Sequence, residues 1–223
     1  MIDPVCQMTS IGKAFDGRPV LCDLDLTVAP GEMVAVTGDS GSGKTTLLNI
    51  VGLLERPDRG EMRLFGRPAP AVGSRKATAL LRNKLGYLFQ NFALIDGDSV
   101  EGNLKIAQAY AGGSRAARGR ARAAVLEAVG LPDAARRRVY ELSGGEQQRV
   151  AIARLMLKPC DLVLADEPTG SLDAANRDIV LRLLRQLNAA GKSVVIVTHD
   201  TQVAASCHRR LSLPVAHGAL QPQ

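Results

Sequence analysis

The chain has 223 residues, room for one domain or one domain with a subdomain, and 46% of them are hydrophobic, enough for a sizeable core. Aromatics are 3% with no Trp, so that core is aliphatic, and the longest apolar runs, such as Val194 to Val197, fall far short of the roughly 20 residues a membrane span needs. The net charge of +6 admits a solvated basic face, an anionic membrane surface or nucleic acid.

Met1-Ile2-Asp3-Pro4 offers no basic stretch followed by an apolar one, so no signal peptide is expected and the chain is expected in the cytoplasm. Cys6, Cys22, Cys160 and Cys207 form no C-x-x-C pair and have no His at zinc-like spacing. They read as reduced, mostly buried thiols rather than a metal site.

In chain order, Val5 to Ala14 and Val20 to Val28 alternate as two strands, parted by the turn Phe15-Asp16-Gly17-Arg18-Pro19. After the turn Ala29 to Glu32, Met33 to Thr37 reads as a short buried strand. The stretch that follows, Gly38-Asp39-Ser40-Gly41-Ser42-Gly43-Lys44-Thr45-Thr46, fits G-x-x-x-x-G-K-[ST] and leads into a helix running to about Leu54. Small residues from Ser40 to Gly43 let the backbone curl with its N–H groups inward, an anion nest at a helix N-terminus suited to phosphate. Lys44 is placed to reach the outer phosphates of a nucleotide, and the Thr45 hydroxyl to sit on Mg²⁺.

Arg56 to Gly60 breaks the helix. Glu61 to Phe65 reads as a strand, Pro68 to Pro70 as loop, Ser74 to Asn83 as a helix capped by Ser74, and Leu85 to Phe89 as a strand. From Ser99 to about Met156 the pattern is helical, Ala- and Arg-rich. Arg115, Arg118, Arg120 and Arg122, with Arg136 to Arg138 beyond, are separated by Ala and Gly with no aromatics interleaved for base stacking. A solvated helix face leads there, ahead of a membrane or lipid-headgroup contact and of nucleic acid. The α/β rhythm returns with strand Asp161 to Asp166, helix Ala174 to Leu187 and strand Ser193 to Thr198, which implies a mostly parallel sheet covered by helices. Pro214 to Gln223 is weakly patterned and expected to fray.

Leu162 to Glu167 is an apolar strand ending in two carboxylates. Beside a phosphate nest, Asp166 is placed to hold the hydration shell of Mg²⁺ and Glu167 to polarise an attacking water; alone, the pair would read as an acidic turn. Leu142-Ser143-Gly144-Gly145-Glu146-Gln147-Gln148 opens another helix, and two glycines beside a Ser expose further backbone N–H groups at a positive dipole end. One nucleotide on the first nest does not need this second one, so it is read as serving a nucleotide held by another copy. Ser143 and Glu146 also fit a plain capping box, and both readings can hold.

With these motifs in this order the chain resembles the ATP-binding-cassette ATPases, from about Val5 to about Leu213. The resemblance implies an α/β fold, a P-loop NTPase (RecA-like) core with an N-terminal antiparallel β subdomain and an inserted α-helical subdomain. Residues 1–223 form one such domain, with 1–90 and 141–223 as nucleotide-binding core and 91–140 as helical subdomain. It further implies that Phe15 stacks on adenine, in a place where Tyr is commoner. Gln90 contacts Mg²⁺ and senses the γ-phosphate. Ser143, Gly144 and Gly145 meet the nucleotide of a partner subunit, and Asp173 crosses the dimer interface. Asp166 supports Mg²⁺, Glu167 is the base, and His199 touches the γ-phosphate. As alternatives, Phe15 suits the core, Gln90 a surface loop, Asp173 a helix cap and His199 a helix start.

Asp166 to Asp173 is similar to the stretch of the lipoprotein-release and macrolide-export class, where Asn commonly replaces Ser171, and Arg82 to Ile95 looks like a subgroup of peptide or bacteriocin exporters. The implied function is an ATP-hydrolysing subunit of a transporter, with ATP and Mg²⁺ as cofactors. It would work as a dimer on the cytoplasmic face of the membrane, driving separate integral-membrane permease subunits and binding no nucleic acid. Asn91 to Ile95 is the expected docking segment, with Phe92 and Leu94 as exposed anchors or else as core. An alternative is a cell-division or mechanotransmission ATPase that engages a membrane partner without transport. A soluble cassette acting on nucleic acid or ribosomes fits less well, because the chain has one cassette and no heptad stretch.

Overall fold

The computed structural model describes residues 3–170 and 172–214. Ser171 and the part of the expected frayed end from residue 215 onward lie outside the described residues. The chain opens with a hairpin, β1 (Cys6–Phe15) and β2 (Arg18–Val28), turned at Asp16 and Gly17, both with positive φ. Then follow β3 (Met33–Thr37), α1 (Lys44–Val51), β4 (Arg59–Leu64) and the two-residue β5 (Arg67–Pro68), which takes Pro68 out of the loop expected over Pro68 to Pro70. Next is α2 (Arg75–Asn83), where the Ser74 hydroxyl accepts from the Ala77 N–H at 3.1 Å as a cap, and then β6 (Leu85–Leu88). The helical stretch comprises α3 (Val100–Ala107), α4 (Arg115–Ala128), two 3₁₀ turns at Ala134–Arg136 and Val139–Glu141, and α5 (Gly144–Leu157). The chain ends with β7 (Leu162–Asp166), α6 (Ala174–Ala189), β8 (Ser193–Val197), α7 (Thr201–Ala205) and β9 (Arg209–Ser212).

The strands form two sheets. One is antiparallel in the order β2-β1-β4-β5; the other is parallel in the order β6-β7-β8-β3-β9. Continuous apolar runs at the centre of the parallel sheet follow from burial on both faces. Val34, Val36, Leu162, Leu164, Val195 and Val197 join one core, with α1 and the antiparallel sheet. Their alternates Val163, Ala165, Val194 and Ile196 join the other, with α3, α4, α5 and α6. Each fully buried Val or Leu contributes about 1.5–3 kcal/mol, so both layers hold the sheet in place. Because α1 is packed between the two sheets, the loop before it is fixed at the C-terminal edge of β3. No helix among the described residues is long and apolar enough to cross a membrane.

The arginine run is only partly the solvated face expected of it. Arg122 turns inward, donating to Gln108 Oε1 at 2.7 Å and to Glu101 Oε1 at 3.0 Å, and so joins α4 to α3. Arg137 pairs with Glu146 at 2.9 Å and donates to the Glu141 carbonyl. Of the two expectations for Phe92 and Leu94, exposed anchors or core, the structure is nearer the second: both are half-buried against the helical core, and Ile95 is exposed. Two left-handed residues in succession, Phe92 (φ 62°) and Ala93 (φ 48°), turn the chain here.

Candidate nucleotide site

The loop from Gly38 to Gly43 links β3 to α1. Gly43 must be glycine: its φ is +87°, and a Cβ there would come within 2.8 Å of Leu21 Cδ2 and of the Val20 carbonyl. The close contact seats the start of β2 directly on the loop. Lys44 folds back over it, its Nζ donating to the carbonyls of Gly38 and Asp39 at 2.8 Å each. Ser42 Oγ is buried with no hydrogen-bond partner, an acceptor and donor left for a ligand.

Opposite the loop stand the tips of β7 and β8. Asp166 is buried at the end of β7, and Thr45 donates its hydroxyl to Asp166 Oδ1 at 3.3 Å. Burial pushes the Asp166 carboxyl above its ordinary range, against the Thr45 hydrogen bond and with the Glu167 charge adding to the rise. Glu167 adopts φ +44°, its N–H donates to the Val197 carbonyl at 2.9 Å, and its Oε2 is buried without a partner. Oε1 lies 3.0 Å from His199 Nδ1. Two adjoining clefts of about 690 and 370 Å³ share Ser40, Lys44, Glu167 and His199. Gly38 and Asp39 line the larger; Gly41, Gly43, Thr45, Thr46 and Gln90 line the smaller.

Not every candidate residue comes to these clefts. Phe15 is at the tip of the first hairpin, 44% exposed and outside the core, so the core alternative is corrected. Ser143 and Gly144 are exposed at the start of α5, away from either cleft, and Gly145 is buried. A Cβ on Gly145 would meet Asn176 Oδ1 at 2.5 Å, so its immediate requirement is the approach of α6. Ser143 and Glu146 form the capping box, with the Ser143 N–H on Glu146 Oε2 at 2.8 Å and the Glu146 N–H on Ser143 Oγ at 3.3 Å. Asp173 is exposed and caps α6 through the Asn176 N–H at 2.8 Å. Sequence reading missed Thr201, Arg210 and Ser212, which line the larger cleft from α7 and β9. The alternation Leu211-Ser212-Leu213 was the one available signal for that strand.

A glycine-bounded loop at a helix start, a lysine folded over it and a strand-tip Asp–Glu pair facing it define a P-loop nucleoside triphosphatase. A family model described as ABC transporter matches residues 21–170. The chain therefore belongs to the ABC transporter family, as one of its ATPase cassettes. It is 48% identical over 193 residues to a macrolide export ATP-binding/permease protein MacB of Rhodopseudomonas palustris, covering 86% of this chain and 30% of that protein. A macrolide export ATP-binding/permease protein of Paracoccus denitrificans is 44% identical over 211 residues, 92% of this chain and 31% of the relative. The chain thus spans about 30% of the length of these relatives. Among solved structures it is similar to a dimeric, post-hydrolysis ATP-binding cassette bound to ADP and Pi, at a TM-score of 0.86 and 33% identity, covering 95% of each chain.

Proposed function

We propose that this chain binds and hydrolyses ATP at the Gly38–Thr46 loop and passes the resulting change of shape to integral-membrane permease subunits, from the cytoplasmic face of the membrane. The supporting observation is the convergence of Lys44, Thr45, Glu167 and His199 on one cleft, with the buried Asp166 bonded to Thr45 behind it and with Ser42 Oγ and Glu167 Oε2 buried and unpartnered. The residues suit the ligands: the loop N–H groups and Lys44 suit phosphates, and the buried Asp166 with the Thr45 hydroxyl suits Mg²⁺. When bound, Mg²⁺ supplies positive charge to the phosphate oxygens. Glu167 orients and deprotonates the attacking water, His199 fixes that carboxylate and reaches toward the γ-phosphate, and Gln90 contacts the metal from the end of β6.

Ser143, Gly144 and Asp173 lie on other parts of the surface, so the site is read as half of a pair. A second cassette would complete it, with Ser143 to Gly145 facing the nucleotide of the partner and Asp173 at the joint. The solved relative bound to ADP and Pi is itself dimeric. ATP holds two such subunits together and hydrolysis releases them, a two-state element biased by its ligand. Residues 91–140 act as the helical subdomain carrying this motion. The docking surface is the cleft of about 390 Å³ walled by Leu81, Tyr87, Phe89, Ile106 and Tyr110, rather than one centred on Phe92. The relatives named for macrolide export support an exporter, with cargo of drug-like, lipoprotein or peptide type.

The test is Glu167→Gln. This variant is expected to bind ATP, to lose turnover by about 10²- to 10⁴-fold and to accumulate as an ATP-dependent dimer in size-exclusion chromatography. Turnover at the wild-type rate would displace Glu167 as the base and the site with it. Purification from membranes with the bound permease identified tests the coupling.

A further inference from the structure

Lys13 stands outside both nucleotide clefts, yet it is tied to more acceptors than an ordinary surface lysine. Its Nζ lies 2.9 Å from Glu55 Oε1, 3.1 Å from Asp58 Oδ1 and 2.9 Å from the Arg56 carbonyl, which uses all three ammonium protons. The Glu55 hydrogen bond, with that of Asp58 behind it, holds the ammonium above its ordinary range, against the burial that opposes it. Asp58 also grips the backbone on either side of Lys13: its Oδ2 accepts from the Ala14 N–H at 2.8 Å, and its own N–H donates to the Gly12 carbonyl at 2.9 Å. The pairing of β1 with β2 shifts register between Lys13 and Ala14, so the strand bends there and delivers Phe15 to the hairpin tip. The ammonium sits 5.0 Å from the centroid of the Phe15 ring.

This arrangement joins the hairpin tip to the far end of α1. Glu55 to Asp58 follow α1, the helix that starts at the phosphate loop, and the Glu55 N–H is bonded to Asn49 in that helix at 3.2 Å. The other strand of the hairpin, β2, touches the loop itself at Gly43 through Val20 and Leu21. The Phe15 ring is therefore braced against the phosphate loop twice, once through β2 and once through Lys13 and the far end of α1. A nucleoside triphosphate that spans both ends needs that separation fixed; a bare polyphosphate needs only the loop.

We propose that Lys13 is a positioning residue for base recognition: held by Glu55, Arg56 and Asp58, it covers one side of the Phe15 ring and presents the remainder to the planar base of a nucleoside triphosphate. The inference rests on reading Gly38–Thr46 as the nucleotide site. A cation against one side of the ring also orients its quadrupole and removes rotamers that binding would otherwise have to freeze out.

The test compares Mg·ATP with inorganic tripolyphosphate on the full chain. Lys13→Met keeps the stem and removes the charge. It is expected to weaken ATP about fivefold to tenfold while leaving tripolyphosphate within about twofold. In a Phe15→Ala background Lys13→Met adds no further loss, because the lysine acts through the ring. Glu55→Gln, which loosens the clamp at a half-buried position, gives a smaller loss of about twofold to threefold, again for ATP alone; this variant carries the test if Lys13→Met does not fold. Equal loss for both ligands makes the clamp a support of the phosphate loop only, and unchanged ATP affinity, or the full loss persisting without Phe15, likewise overturns the proposal. A wild-type chain that binds neither ligand overturns the nucleotide-site reading and this inference together.

Discussion

His199 Nδ1 lies 3.0 Å from Glu167 Oε1, although the two residues are carried on loops leaving different strands of the parallel sheet. The Glu167 N–H bonded to the Val197 carbonyl stitches those loops together, so the pair is positioned by backbone as well as by side chains. His199 itself is exposed, and its ring has no other side-chain partner among the described residues. His199→Ala should therefore leave ATP binding near wild type and lower turnover by about 10²-fold. Phosphate release at saturating ATP, beside equilibrium nucleotide binding, checks this, and wild-type turnover would remove His199 from the chemistry.

Lys44 spends its charge on two carbonyls of its own loop, Gly38 and Asp39, each at 2.8 Å. A phosphate chain competes for the same ammonium and offers it a full negative partner, so the contact strengthens on binding. Lys44→Ala is expected to weaken ATP by at least about tenfold, the range for a charge-assisted hydrogen bond. Calorimetric titration reads this directly; an unchanged dissociation constant argues against the phosphate cradle.

What the sequence revealed of the fold, and what it concealed, has a physical reason. Met33–Thr37 and Leu162–Asp166 were legible because a strand buried on both faces must be apolar throughout, and a carboxylate can appear only at its tip. β9 was not, because it lies at the sheet edge and begins with Arg209 and Arg210, which burial does not exclude there. The two readings of Phe92 and Leu94, exposed anchors or core, were not separable from sequence, because the chain turns there through a pair of left-handed residues of which neither is the glycine that would have signalled such a turn. For the site, Gly38 to Gly41, Gly43 to Thr46, Gln90, Glu167 and His199 were legible as motifs and line the clefts. Arg210 was not, since nothing in a lone arginine tells that Thr37 will accept its Nε–H at 2.8 Å beside the loop.

Glu146 links the start of α5 to pH. The Ser143 N–H holds its carboxyl below the ordinary range, burial opposes this, and the nearby Arg137 assists. A carboxyl lowered in the folded state contributes stability that is fully present above its unfolded value, about 4.5, and is lost as pH falls through the lower folded value. Glu146→Gln keeps an acceptor for the Ser143 N–H and loses the charge, so it should cost about 0.5–1 kcal/mol near neutral pH. The difference between wild type and variant should narrow as denaturant midpoints are followed below about pH 4.5. A gap that stays constant over that range would mean the carboxylate charge is not what stabilises the cap.

Arg154 of α5 fastens the segment that leads out of Gln90. Its guanidinium donates to the Ala93 carbonyl at 2.6 Å and to the Phe92 carbonyl at 3.0 Å, the two residues in left-handed conformation. Burial holds Arg154 below its ordinary range, so desolvation opposes the charge, and the two carbonyls compensate for the lost water. Non-glycine residues at positive φ cost roughly 1 kcal/mol or more each, and the clamp offsets that cost. Arg154→Ala should lower stability by about 2–3 kcal/mol, and Arg154→Lys by less, since an ammonium can still reach one carbonyl. Thermal unfolding measures the first effect, and hydrogen exchange at residues 91–95 localises it. Because Arg154 itself lines the proposed permease cleft, the variant should also lose permease-stimulated turnover while the isolated chain keeps its basal rate. Unfolding at the wild-type midpoint with unaltered exchange would show that the left-handed turn holds without the arginine.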